Sequence, residues 1–126
     1  MPSRNIDDCN PILKNAYLKA EAEFNSKNTV KVFLTCTYRS NEEQAELYAQ
    51  GRTKAGKIVT NAKAGQSKHN RKPSDAFDIA FKKPDKTLDW STKNFLAFYQ
   101  IIVRIEPRIK RGGNFKKIKD APHFEI

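Results

Sequence analysis

The sequence predicts an α+β fold: a single compact domain in which a small central antiparallel sheet is flanked by about three helices. Three observations carry that reading. The chain has 126 residues, 38% of them hydrophobic, which suffices for one core and not for two. Helix-like and strand-like patterning follow in the order α-β-α-loop-β-α-β. The strands are few and short, and the helices are segregated from them rather than alternating with many parallel strands.

Each element has its own signal. Asp8 or Asn10 can cap a first helix that has Pro11 near its first position, where a missing N–H costs nothing. Ile12, Ala16, Ala20 and Phe24 recur every four residues as one apolar stripe, and Asn25-Ser26-Lys27-Asn28 ends it. Val30 to Cys36 is rich in β-formers and short, so it reads as a buried strand. Ser40 and Glu43 form a capping box that opens a helix through Gln50, with Gly51 where a terminating glycine belongs. From Arg52 to Asp75 no periodicity persists, apart from a short expected strand at Ile58 to Thr60. An irregular stretch of this length in a small domain is usually functional. Ala76 to Phe81 is a second strand, and Pro84 to Asp89 a turn. Ser91 or Thr92 caps a third helix with Phe95, Phe98, Ile102 and Ile105 on one face, ended near Pro107. Arg111-Gly112-Gly113-Asn114 reads as a turn, and His123 to Ile126 as a closing strand. No repeat, linker or low-complexity tract interrupts this order, so residues 1–126 are expected to form one domain with no separate binding module.

Composition narrows the partners. Lys and Arg total 24 against 14 Asp and Glu, a formal charge of +10. Such a surface attracts polyanions through a field that salt screens. Nucleic acid and the anionic polymers of a cell envelope both qualify. The basic residues are scattered, and no zinc-finger spacing or RNA-binding aromatic signature accompanies them, so specific nucleic-acid recognition is not expected. No apolar run approaches the roughly 20 residues that span a bilayer. The N-terminal segment has no secretory apolar stretch, so synthesis in the cytoplasm is expected. Cys9 and Cys36 lack any CxxC or Cys/His spacing and read as reduced structural thiols.

The chemistry centres on the only two histidines, His69 and His123, and on Asp78. Alternation along Ala76 to Phe81 puts Phe77, Ile79 and Phe81 on the core face. Asp78 then projects from the other face between two small alanines. Two imidazoles and one carboxylate would make a catalytic type of zinc site, with a fourth position open. Zinc lowers the pKa of bound water to about 7. Such chemistry needs a base, for which Asp120 is the nearest candidate and Glu125 the second, and a cationic donor, for which Arg39 is placed. Spacing alone does not prove the site: ligands drawn from three separate segments carry no signature comparable to H-E-x-x-H.

Several motifs occur together. Thr37-Tyr38-Arg39-Ser40, Glu43-Gln44 and Leu47-Tyr48-Ala49-Gln50-Gly51-Arg52-Thr53 are followed by Lys57-Ile58-Val59-Thr60-Asn61-Ala62. Ser67-Lys68-His69-Asn70, Ala76-Phe77-Asp78 and Asp120-Ala121-Pro122-His123-Phe124 come after them in order. This set resembles the VanY-like zinc peptidases, the family of D-alanyl-D-alanine carboxypeptidases and L-alanyl-D-glutamate peptidases that includes many phage endolysins. The resemblance runs from about Thr35 to the C-terminus.

It implies a Hedgehog/DD-peptidase-like fold, a Zn2+ cofactor held by His69, Asp78 and His123, Asp120 as catalytic acid/base and Arg39 as the transition-state or substrate partner. Ser67 and Gln44 carry over as residues that support the site or contact the peptide substrate. The implied activity is hydrolysis of peptidoglycan stem peptides by a monomer, at the L-alanyl-D-glutamate bond, with release to the wall assisted by a holin. Removal of a terminal D-alanine, as by a carboxypeptidase or dipeptidase, is the rival within the same chemistry. A basic nucleic-acid-binding module and a metal-free relative are the rivals outside it. The sequence departs from the family pattern in three places, one of them being Asp120, where many relatives have Glu. Nine positions separate His69 from Asp78, two more than the motif allows, and the inserted segment lacks its glycine. That leaves Asp75 as a competing carboxylate. Gly112-Gly113-Asn114-Phe115 stands where relatives have Gly-Gly-Asp-Trp.

Overall fold

Pro11 occupies the first position of α1 (Pro11–Lys27), and the Asn10 side chain accepts the Ile12 N–H. The computed structural model describes residues 2–112 and 120–126, the side chains of 120 and 121 excepted. Leu13, Ala16, Tyr17, Ala20 and Phe24 form the buried stripe of α1. The apolar seam therefore follows the i, i+3, i+4 drift of a 3.6-residue turn, and Leu13 replaces the expected Ile12, which is only half-buried.

β1 (Lys31–Cys36) follows, then α2 (Asn41–Ala49). Both halves of the capping box are made: Ser40 Oγ accepts from Glu43 N, and Glu43 accepts from Ser40 N at 2.9 Å. Gly51 ends the helix at φ 80°, and a Cβ there would lie 2.6 Å from Ile58 N, so both conformation and space call for glycine.

The expected strand at Ile58 to Thr60 does not form. Side chains take carbonyls at its two ends instead: Gln50 Nε2 donates to O of Lys57, just before the segment, and Arg52 Nη1 to Thr60 O, both at 3.1 Å.

β2 (Ala76–Lys82), α3 (Thr92–Ile105), β3 (Lys110–Gly112) and β4 (Asp120–Glu125) complete the chain. Part of the segment expected to be a turn, Arg111 and Gly112, is thus a short strand paired with β4. Gly113, Asn114 and Phe115 lie outside the described residues. The strands form one antiparallel sheet in the order β1-β2-β4-β3.

One face of that sheet is the core. Phe77, Ile79, Phe81 and Phe124 pack against Tyr17 and Phe24 of α1 and Phe95, Phe98 and Ile102 of α3. Phe77 and Phe124, neighbours across β2 and β4, stack at 5.5 Å with an interplanar angle of 11°. Each such ring contributes roughly 1.5–3 kcal/mol by leaving water. Because strand side chains alternate, this same packing fixes which residues face the other way.

Candidate metal centre

Asp78 follows Phe77 in β2 and so emerges on the face opposite the core. The antiparallel register sets His123 of β4 directly across from it. Cross-strand partners on one face lie close enough for their side chains to meet. The third residue comes from the irregular segment. His69 sits in a 3₁₀ turn (Lys68–Asn70) whose N-terminus is capped by Ser67, with Oγ accepting the His69 N–H at 3.2 Å. Asn70 secures the turn by donating to Arg39 O at 2.9 Å and accepting from Ser67 N at 3.1 Å. Arg39 N donates in return to His69 O at 2.9 Å.

The result is a triangle of donor atoms. His69 Nε2, His123 Nδ1 and Asp78 Oδ1 are each 3.1 Å from the other two. A tetrahedral zinc with ligands at about 2.0–2.1 Å spaces those ligands about 3.3–3.4 Å apart, so the residues fit the ion with little movement. The remaining ring nitrogens are committed elsewhere. His69 Nδ1 donates to Thr37 O at 2.7 Å and His123 Nε2 to Glu125 Oε1 at 2.8 Å. Each hydrogen bond selects the tautomer whose other nitrogen presents a lone pair to the triangle.

The electrostatics ask for a cation. Burial alone would lower the His69 pKa, but bonding to Asp78 and to Cys36 outweighs it and raises the value to about 10. His123 is also raised, with burial opposing and Asp78 and Glu125 lifting. Burial pushes Asp78 up, yet the two histidines hold its carboxyl well below the usual range. These shifts share one cause, the attraction between the Asp78 carboxylate and positive charge on the imidazoles.

Arg39 stands beside this triangle. Its Nη2 is 3.6 Å from Asp78 Oδ2, and Nη1 donates to Gln44 Oε1 at 2.9 Å. Gln44 is fully buried, and its Nε2 donates to Ala62 O at 2.8 Å. Gln44 thus ties the Arg39 guanidinium to the loop at Ala62, an arrangement that fits the site-supporting role expected from the sequence. Ser67 acts likewise as the cap of the His69 turn. Asp75, the competing carboxylate, pairs with Arg71 at 2.9 Å and accepts from Asn10 at 3.2 Å, away from the triangle. The extra residues before Asp78 are absorbed in a loop anchored by Ser74, whose N–H donates to Asp8 O and whose carbonyl accepts from Asn10 N. Asp120 opens β4, but its side chain lies outside the described residues.

Sequence reasoning missed Cys36. An irregularity between Leu34 and Cys36 shifts the β1–β2 register and pairs Cys36 with Asp78. Its Sγ lies 3.7 Å from His69 Nδ1 and 3.6 Å from Arg39 Nη2. Cys36, His69 and Asp78 offer donor atoms within 4.8 Å of one another. That set is looser than the triangle, and its thiol lies against the imidazole nitrogen already bonded to Thr37, so the two histidines with Asp78 fit an ion better. Only the strand irregularity brings Cys36 here, and spacing in the sequence carries no signal of it.

Comparison with known proteins gives the family. The family model described as VanY, D-alanyl-D-alanine carboxypeptidase, matches residues 11–105. The chain belongs to the VanY family. That match takes in Arg39, His69 and Asp78, with Asp120 and His123 beyond it. Among VanY-type relatives, the peptidoglycan L-alanyl-D-glutamate endopeptidase CwlK of Bacillus subtilis (strain 168) is 39% identical over 128 residues, covering 94% of this chain and 74% of that protein. The crystal structure of the Serratia marcescens L-Ala D-Glu endopeptidase ChiX shares the fold with a TM-score of 0.61 at 15% identity, covering 100% of this chain and 88% of that one. The expected α+β architecture is thus that of a solved endopeptidase. Among the described residues, no helix is long and apolar enough to cross a membrane.

Proposed function

We propose that this VanY-family chain is a zinc peptidase of peptidoglycan stem peptides that cuts between L-alanine and D-glutamate. The observation that carries the proposal is the triangle of His69, Asp78 and His123 donor atoms with edges of 3.1 Å. The named activity of the 39%-identical relative favours this bond over a terminal D-alanine. The family description keeps carboxypeptidase action as the second reading.

His69, Asp78 and His123 would hold the ion. When bound, zinc supplies Lewis acidity that activates water and polarises the scissile carbonyl. Arg39 offers positive charge to the carbonyl oxygen as it gains charge. Asp120 takes the proton from water and returns it to the departing amine of D-glutamate. Gln44 keeps the Arg39 guanidinium in place from behind. The formal charge of +10 favours residence on anionic envelope polymers. We place the chain in an endolysin-type setting, acting as a monomer on the wall after holin-assisted release from the cytoplasm.

Digestion of purified peptidoglycan followed by mass analysis of the fragments tests the reading. The expected products are a new D-glutamyl amino terminus and muramyl-L-alanine. Free D-alanine as the main product would establish the carboxypeptidase reading instead. No hydrolysis, with tight DNA binding, would overturn both.

A further inference from the structure

Glu125 is half-buried beside the centre, and the proposed chemistry gives it no task. Both of its oxygens are in use. Oε1 accepts from His123 Nε2 at 2.8 Å, and Oε2 lies 3.0 Å from Lys68 Nζ. Lys68 is itself anchored by donating to Ile126 O at 2.6 Å. A base that removes a proton from water must present a free lone pair to that water. Glu125 meets the His123 ring at Nε2, whereas the triangle is formed at Nδ1, so the imidazole stands between Glu125 and the triangle.

The same geometry gives it another role. A neutral imidazole has two tautomers, and the one protonated at Nδ1 would aim an N–H at Asp78 and His69 and exclude an ion. A carboxylate at 2.8 Å from Nε2 stabilises the other tautomer and fixes the ring plane. Lys68 precedes His69 in the chain, so the Lys68–Glu125 pair also links the turn bearing one ligand to the strand bearing another. Both partners are largely shielded, at 30% and 16% side-chain exposure, which makes this pair less prone to salt screening than a surface one.

We propose that Glu125, clamped by Lys68, is a positioning residue of the metal centre that orients His123 and joins the two ligand-bearing segments before the ion arrives. This rests on the metal-centre reading above.

Zinc affinity, measured by competition with a chromophoric chelator on the full-length protein, tests it without recourse to activity. Glu125→Ala should weaken zinc binding by about 10- to 100-fold. Glu125→Gln should lose less than about 10-fold, because its amide oxygen still accepts the His123 N–H. Lys68→Met should weaken zinc binding by more than about threefold, though less than Glu125→Ala does. Circular dichroism and melting of the metal-free proteins establish that each is folded. If Glu125→Ala does not fold, the Gln and Met variants decide. A folded Glu125→Ala or Lys68→Met protein that binds zinc within about threefold of wild type would overturn the inference. So would a Gln variant as weak as the Ala variant, since acceptance from His123 would then not be what matters. Wild-type protein without zinc would sink the metal reading itself, a different and separable failure.

Discussion

Replacing Arg39 separates the two roles proposed for this region, holding the ion and stabilising the developing oxyanion. The guanidinium lies 3.6 Å from Asp78 Oδ2, too far for a good hydrogen bond, so the pair interacts through charge. At an effective dielectric of about 20, that separation gives a gross attraction of about 4–5 kcal/mol, much of it offset by desolvation. Arg39 therefore does little to orient Asp78. Its positive charge beside a ligand opposes a bound cation, and removing it should leave zinc affinity unchanged or slightly higher. Catalysis should respond in the other direction. Loss of one donor to a developing oxyanion costs about 100- to 1,000-fold in kcat. Arg39→Lys should recover only part of this, because the guanidinium uses separate nitrogens for Gln44 and for the Asp78 side, which one ammonium cannot do. The assay pairs kcat on a synthetic stem peptide with chelator competition for zinc. Arg39→Ala protein that loses zinc and activity together would refute the division of labour, as would kcat within about threefold of wild type.

The remaining predictions concern the ligands. Because His69 is raised to about 10, it carries a proton at neutral pH in the metal-free protein, and zinc must displace it. Calorimetry in buffers of different ionisation enthalpy should show proton release at pH 7.5, and affinity should fall as pH falls; binding with no proton release would contradict this. Asp78→Asn should abolish zinc binding, whereas Asp75→Asn should leave it intact and cost under about 1 kcal/mol of stability, as expected for a partly exposed ion pair. Zinc loss in the Asp75 variant would reverse that ligand assignment.

How much of this was legible in the sequence depended on range. Local rules read the Ser40–Glu43 capping box, the Asn10 cap and Pro11 start, and the alternation that turns Asp78 away from Phe77 and Phe81. These depend on neighbours within a few residues. The strand at Ile58 to Thr60 failed because Gln50 and Arg52 supply hydrogen bonds that β-propensity does not anticipate. Lys110–Gly112 was missed as a strand because three residues, one of them glycine, carry too little pattern. At the site, the histidines and Asp78 could be named from motifs. Their meeting depends on the β2–β4 register and on the Asn70 bonds that hold the His69 turn against Arg39. Cys36 and the Lys68–Glu125 clamp arise from pairings distant in the chain and leave no local trace.

The central claim is that His69, Asp78 and His123 together hold a zinc ion on which wall hydrolysis depends. Native mass spectrometry of wild-type and His123→Ala protein, each assayed on peptidoglycan before and after chelation, tests it most directly. Wild-type protein should carry stoichiometric zinc and hydrolyse peptidoglycan, lose both on chelation and regain them when zinc is returned, and the variant should do neither. Hydrolysis by zinc-free wild type, or undiminished hydrolysis by His123→Ala, would contradict it.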